Sequence, residues 1–446
     1  VDEAMAALGM AAGTRLDVIA EAQGWRLELS HPDQVDQVDP DPVQAASRWL
    51  IEQLADPEPA LEPDFQLQRF GRPPTPPPAG ERLITVDQTN RSVVVGEQLV
   101  VKWITRIEDA EHPALRTLHH LDEVGFDGVP ATYGALTWSS PTSPTSPELP
   151  LAFVTAFLEG AVDGWQWCAD ALKSGSRQDF PAELGRLTGK LHVALGSPSS
   201  LLPLPMLAVG PAQVRQWHQQ ARQRLETLAE QIGELDGAPA GPELERSRQV
   251  PSEVLALHLK PMESAIDRLL EHSGRTPTQL IHGDLHVGQV LSWVGGLSVI
   301  DFDGSPVLGG RAASTRQPAA RDVAQLLLSL DQVGRIVDRR SGYTRTDEIN
   351  AWSRTARAEF LLAYRDELEQ VERRDVLDTR LLPAFIVEQA CRDLLYSARF
   401  LPRWAYATID GLETILADLP EPIPTPAFDP QSLESFEAPE GFIPEP

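Results

Sequence analysis

The stretch Leu280–Gly304, LIHGDLHVGQVLSWVGGLSVIDFDG, decides how the rest of the chain is read. Its acid Asp284 is followed five positions later by an amide, Gln289. The apolar runs Val290–Val294 and Leu297–Phe302 then predict two strands that deliver Asp301 and, after it, Asp303. The spacing lets a loop present one carboxylate and one amide, while a returning strand brings a second carboxylate beside them. Such hard oxygen donors suit Mg2+. His282 and His286 flank the acid at i, i+4, but a zinc-protease helix needs Glu after the first His, where this chain has Gly283. Zinc is therefore not expected, and His282 reads as a brace for the loop.

Upstream of this segment the pattern favours β structure, with short runs at Leu83–Val86, Ser92–Val95, Leu99–Trp103 and Ala152–Phe157. One helix interrupts them, Pro113–Val124, with proline in its first turn. Beyond residue 180, apolar residues at three- and four-residue spacing predict helices over Ala182–Leu195, Ala212–Gly233, Ser252–Ser273, Arg321–Val337, Thr346–Val371 and Leu382–Phe400. A β-rich part followed by a larger helical part is an α+β architecture of two lobes. Three proline-rich stretches punctuate the chain. Arg72–Gly80 reads as a stiff linker after an N-terminal segment that holds one helix, Ala45–Ala55. Ser139–Pro150 reads as an exposed connection between two apolar runs. Pro420–Pro446, with eight prolines, six acidic residues and no Lys or Arg, lacks the apolar content to order itself. The expected division is a cap with linker over 1–80, a β-rich lobe over 81–158, a helical lobe over 159–419 and a tail over 420–446.

The 446 residues carry 38 basic and 65 acidic side chains, a formal net charge of −27, which argues against nucleic acid and anionic membrane surfaces as partners. Hydrophobic residues at 42% suffice for a sizeable core. Cys168 and Cys391 are too few for a disulfide framework and stand outside any metal-ligand spacing, so they read as buried thiols in a reducing compartment. With neither a leader pattern at the start nor a long apolar run, the expectation is a cytoplasmic protein.

Protein kinases place an acid, an amide and a second acid in the order seen here. The first orients and deprotonates the attacking hydroxyl, and the other two hold Mg2+ on ATP. HGDLHVGQ followed by IDFDG resembles the aminoglycoside phosphotransferase-like kinases, and within them the actinobacterial glucosamine kinase and maltokinase group, where Gln replaces the usual Asn. VDQTNRSVVVG (Val86–Gly96), LVVKW (Leu99–Trp103), FLEGAVDGW (Phe157–Trp165) and YSARFLPRW (Tyr396–Trp404) match that group in order, so the resemblance spans roughly residues 84 to 415. It implies a bilobal, eukaryotic-protein-kinase-like fold with an N-terminal cap, ATP and Mg2+ as cofactors, and a small sugar as acceptor.

By resemblance, Asp284 is the catalytic acid, and Gln289 and Asp301 hold the metal. Lys102 steadies the phosphates, Thr89, Asn90, Arg91 and Ser92 form the loop over them, and Thr155, Ala156, Phe157 and Leu158 form the adenine hinge, about which closure is expected. Asp322, Glu388, Asp393, Tyr396 and Trp404 are candidates for the acceptor pocket. The group's helix acid that pairs with the strand lysine aligns with Arg116, and Glu108, Asp109, Glu111 or Glu123 are possible substitutes. Glucosamine, phosphorylated at its 6-hydroxyl, is the expected acceptor, because IDFDG and FLPRWAY depart from the maltokinase pattern and carboxylates suit an aminosugar. Maltose phosphorylation at the 1-hydroxyl, antibiotic phosphorylation and a non-catalytic binding module are the alternatives.

Overall fold

β-Branched and aromatic runs in the first third of the chain pair into two antiparallel sheets, as such side chains favour a pleated, half-buried surface. In the computed structural model, the described residues are 4–10, 14–21, 24–30, 41–78, 80–84, 90–108, 112–139, 148–237, 252–304 and 316–421. The chain divides into two units, Val1–Ala161 with Trp293–Thr315, and Val162–Ser292 with Arg316–Pro446. The N-terminal segment, expected as a cap with linker, and the β-rich lobe fall within the first of these units.

The first unit runs β1 (Ala4–Gly9), β2 (Arg15–Glu21), β3 (Gly24–Ser30), α1 (Pro42–Ala55), β4 (Phe65–Arg69), β5 (Glu81–Ile84), β6 (Arg91–Val95), β7 (Leu99–Trp103), β8 (Arg106–Ile107), α2 (Pro113–Glu123), β9 (Thr132–Trp138) and β10 (Leu149–Ala156). Its sheets have the orders β1-β2-β3-β8 and β4-β9-β10-β7-β6-β5. β1–β3 were not expected, although β3 (GWRLELS) alternates apolar and polar side chains from Trp25 to Ser30, whereas β1 (AMAALG) is Ala-rich and carries no β-branched residue. Helix α1 starts three residues before its expected position because Asp41 caps it, accepting from Val43 N–H at 3.0 Å, with Pro42 in the first turn. The Trp103 indole N–H donates to Ser47 Oγ at 2.9 Å, tying α1 to β7. The proline-rich stretch is pinned within this unit. Arg48 donates to the carbonyls of Pro77 and Pro78 at 3.1 Å each, and Gly96 N–H donates to Gly80 O at 2.7 Å.

The second unit is helical: α3 (Gly164–Ser174), α4 (Phe180–Leu195), β11 (Leu207–Val209), α5 (Pro211–Gly237), α6 (Ser252–Asp267) and β12 (Thr276–Thr278). After β13 (Val290–Trp293), and past β14 (Gly296–Val299), which belongs to the first unit, come α7 (Ala320–Arg340), α8 (Thr346–Gln370) and α9 (Leu382–Phe400). Helix α7 is buried from Ala320 to Asp338 apart from Arg321, so it forms the core of the unit, and its polar residues must find partners inside. Helix α3 lay outside the predicted set although both its ends are signalled. Asp163 caps it through Gln166 N–H at 3.2 Å, and Gly175 closes it at φ +69°. Both cysteines are buried and free, with their thiols pushed up by burial. Among the described residues no helix is long and apolar enough to cross a membrane. Most of the exposed connection, at 140–147, and the tail from 422 onward lie outside the described residues.

Candidate active site

In the first unit the decisive side chain is Lys102. It lies on β7 opposite Ser92 of β6 and Phe153 of β10, with its ammonium half-buried. Nζ donates to Asp303 Oδ2 at 2.6 Å and to Asp301 Oδ1. Burial pulls the ammonium pKa down, but Asp303 and then Asp301 more than reverse this and raise it. Asp301 sits at φ +70°, a left-handed backbone that a non-glycine residue adopts at a cost of about 1 to 3 kcal/mol, and such residues cluster at functional sites. Asn90 Nδ2 donates to Asp303 Oδ2 at 3.0 Å, and Asn90 Oδ1 accepts from Thr105 N–H at 3.3 Å. His112 Nδ1 caps α2 by accepting from Ala114 N–H at 3.3 Å, and burial lowers its pKa against the pull of Asp303. Among the described residues, the acids paired with Lys102 are Asp301 and Asp303. Asp109 and Glu111 lie outside the described residues, as does Thr89.

The other nucleotide candidates of this unit are strand and strand-end residues. Ser92 is buried, and Arg91 donates to Asp41 Oδ2 at 2.8 Å. Thr155 and Ala156 end β10, where Ala156 N–H donates to Ala131 O at 2.8 Å. Phe157 N–H donates to Gln98 O at 2.8 Å, its ring lies 5.2 Å from the Arg82 guanidinium, and Leu158 is buried.

In the second unit the loop around Asp284 is held from below by α7. Asp322, expected to face the acceptor, is instead fully buried and spent on the loop backbone. Its Oδ2 accepts from His282 N–H at 2.8 Å and Oδ1 from Gly283 N–H at 2.9 Å, while His192 Nε2 stands 3.2 Å from Oδ2. Burial pushes the Asp322 pKa up, and His192 with the loop's donors reverses this, so it stays below the ordinary carboxylate range. Gly283 takes φ +84°, which glycine tolerates freely. His282 Nδ1 accepts from Asp284 N–H at 3.3 Å, the brace foreseen from the sequence. One helical turn beyond Asp322, Gln325 Nε2 donates to Asp284 Oδ1 at 2.7 Å.

The segment that carries Gln289 is clamped by α3. His286 Nδ1 accepts from Gly288 N–H at 3.0 Å, Trp165 stacks on His286 at 5.6 Å, and the Trp167 indole donates to Val290 O at 2.9 Å. Gly164 packs so tightly here that a Cβ would stand 1.6 Å from Val287 O. Gly164→Ala is expected to destabilise the protein by about 1 to 3 kcal/mol and to lower turnover, because the clamp must move; thermal unfolding and kcat check this.

The acceptor candidates separate by environment. Glu388 is buried, with Oε2 accepting from Arg321 Nη1 at 3.0 Å and Oε1 paired to Arg224, so it serves as a counter-ion between helices. Asp393 is half-buried and accepts from Gln332 at 2.8 Å and Gln389 at 2.8 Å. Burial, and to a smaller degree the Asp284 charge, pushes its pKa up to about 6 although both amides oppose this. Tyr396 and Trp404 are exposed, packed on Phe400 and Tyr406 respectively. Arg392, which the sequence reading passed over, is buried with Nε and Nη2 lacking a partner. Gln325, Gln332 and Gln389 were also missed, although amides on otherwise apolar helix faces are a signal of buried polar work.

No protein-family model matches the chain. A glucosamine kinase from Streptacidiphilus jiangxiensis is 36% identical over 353 residues, 77% of this chain and 75% of that one. The chain belongs to the glucosamine kinase family. A second glucosamine kinase, from Mycolicibacterium smegmatis, is 36% identical over 346 residues, 76% of this chain and 80% of its own. Among solved structures, a glucosamine kinase in complex with glucosamine, ADP and inorganic phosphate superposes with a TM-score of 0.72 at 30% identity, over 92% of this chain and 93% of that one. Another crystal form of glucosamine kinase gives the same TM-score and 92% coverage of this chain. These relatives share the kinase-like α+β architecture expected from the sequence.

Proposed function

We propose that this protein transfers the γ-phosphoryl group of ATP to the 6-hydroxyl of glucosamine, in the cytoplasm. The observation that carries the reading is Asp284, held through Oδ1 by Gln325 at 2.7 Å on a loop whose backbone is fastened to buried Asp322. Oδ2 then takes the proton of the acceptor hydroxyl. Lys102 steadies the α- and β-phosphates, Thr89, Asn90, Arg91 and Ser92 cover them, and the Thr155–Leu158 segment receives the adenine. Asp301 and Gln289 supply hard oxygens to Mg2+, which neutralises phosphate charge when it arrives with the nucleotide. No cluster of three or more His, Cys, Asp or Glu side chains able to hold a metal occurs among the described residues. That fits an ion carried mainly by phosphates and water with one or two protein oxygens.

The acceptor lies against Asp393, with Arg392 giving its unpartnered guanidinium nitrogens to sugar hydroxyls and Tyr396 and Trp404 offering apolar faces. A carboxylate suits the ammonium of an aminosugar better than it suits maltose. ADP release measured across glucosamine, glucose, N-acetylglucosamine and maltose tests the assignment. Turnover of glucosamine is expected, and turnover of maltose without glucosamine overturns it.

The raised pKa of Asp393 gives a pH test. A carboxyl whose folded pKa is raised is neutral below about 6, so KM for glucosamine should climb as pH falls through that value. Asp393→Asn should remove this dependence. The linked effect on stability has the opposite sense: folding favours the protonated acid, a contribution present below the ordinary pKa of 3.8 and lost as pH rises through about 6. The substitution should therefore leave the protein at least as stable at pH 7, as a thermal melt would show.

A further inference from the structure

A kinase lysine that grips phosphates is usually held by an acid on the next helix, yet by the resemblance described above that helix here, α2, has Arg116 at the corresponding point. We propose that Asp303 is the positioning acid of Lys102, clamped by Asn90, and that of the two acids paired with the lysine only Asp301 turns to the metal. The inference rests on the reading of Lys102 as the phosphate lysine.

Asp303 Oδ2 is shared between Lys102 Nζ at 2.6 Å and Asn90 Nδ2 at 3.0 Å. Because Asn90 Oδ1 accepts from Thr105 N–H at 3.3 Å, the amide is oriented with its nitrogen toward the carboxylate. Asp303 is thereby fixed by a backbone-anchored donor as well as by the charge it holds. Asp301 differs in its setting. Its side chain is 40% exposed against 25% for Asp303, and its backbone lies at φ +70°.

A carboxylate that keeps the ammonium has fewer lone pairs left for a cation bound in near-octahedral geometry. Two acids against one lysine resolve the conflict. The pair leaves one net negative charge for a cation, and the lysine keeps a partner when Asp301 is engaged.

The test is a double-mutant cycle read by titration calorimetry of Mg·ADP with the parent, Asp303→Asn, Lys102→Met and the double variant. Each single change is expected to weaken binding about tenfold, and the double to be within about twofold of the worse single, because both remove one device. Asp303→Glu should restore most of the affinity. The Mg2+ midpoint of ADP binding should move by about tenfold or more in Asp301→Asn and less than twofold in Asp303→Asn. Independent, multiplying effects of the Lys102 and Asp303 changes overturn the proposal, as does an Asp303→Asn metal shift equal to that of Asp301→Asn. If Asp303→Asn fails to fold, Asn90→Ala, which keeps both acids, takes its place in the cycle with an expected loss of about threefold that vanishes in Lys102→Met. A parent that binds Mg·ADP but phosphorylates no aminosugar refutes the acceptor assignment alone, whereas a parent that does not bind Mg·ADP overturns the inference.

Discussion

Asp284→Asn should lower kcat by about three orders of magnitude while KM for glucosamine and the affinity for Mg·ADP stay within about threefold. Asparagine preserves size and can still accept from Gln325, whose Nε2 lies 2.7 Å from Oδ1, so the loop keeps its shape. What is lost is the oxygen that takes the hydroxyl proton. Steady-state kinetics with calorimetry of Mg·ADP checks the separation, and a residual rate above a tenth of the parent would remove Asp284 from the chemical step. A fall in nucleotide affinity of the same size as the fall in kcat would instead place the residue in binding.

Asp322→Asn should reduce kcat by about a hundredfold and stability by about 3 kcal/mol, although the residue meets neither substrate. Its two oxygens accept from His282 and Gly283 N–H, and an amide nitrogen in place of either would set donor against donor in a dry interior. The loop that aims Asp284 would then be loose, and an error of about an ångström in that aim is enough to cost two orders of magnitude in rate. Were Asp322 an acceptor ligand, as its place in the sequence suggested, the substitution would raise KM for glucosamine and leave the melting temperature unchanged. The pH dependence has a definite sign. A carboxyl held below its ordinary value of 3.8 contributes stability above that pH and loses it as pH falls below. Asp322→Asn should therefore flatten the acid limb of the stability profile.

The helices were legible because burial of one face imposes a period on the sequence. Leu382–Phe400 was placed at both ends, and Thr346–Val371 runs one residue past α8. Strands 92–95 and 99–103 were equally plain, as each is a β-branched run stopped by a turn at Gly96–Gln98. The first three strands were not: Ala-rich β1 lacks the β-branched residues that mark a strand, and the alternation of β3 from Trp25 to Ser30 was a signal passed over. The stiff backbone expected in the first proline-rich stretch is held by Arg48, from which the carbonyls of Pro77 and Pro78 accept.

For the site, residue type and spacing named Asp284, Gln289, Asp301 and Lys102 as candidates, because phosphoryl transfer needs few kinds of group and a loop and strand present them in a fixed order. Composition and spacing also set the fold class and the acidic character of the surface. They could not say which acids spend their charge inside the protein. Asp322 and Glu388 looked like acceptor ligands until their oxygens were found on loop amides and on arginines. Asp303 had no role assigned from the sequence, and the structure pairs it with Lys102 and Asn90. The physical reason is that a carboxylate's role depends on which donors reach it across the fold, and those donors come from segments as much as 213 residues away. Local sequence supplies the chemical groups of this kinase, and packing between distant segments assigns each one to structure or to chemistry.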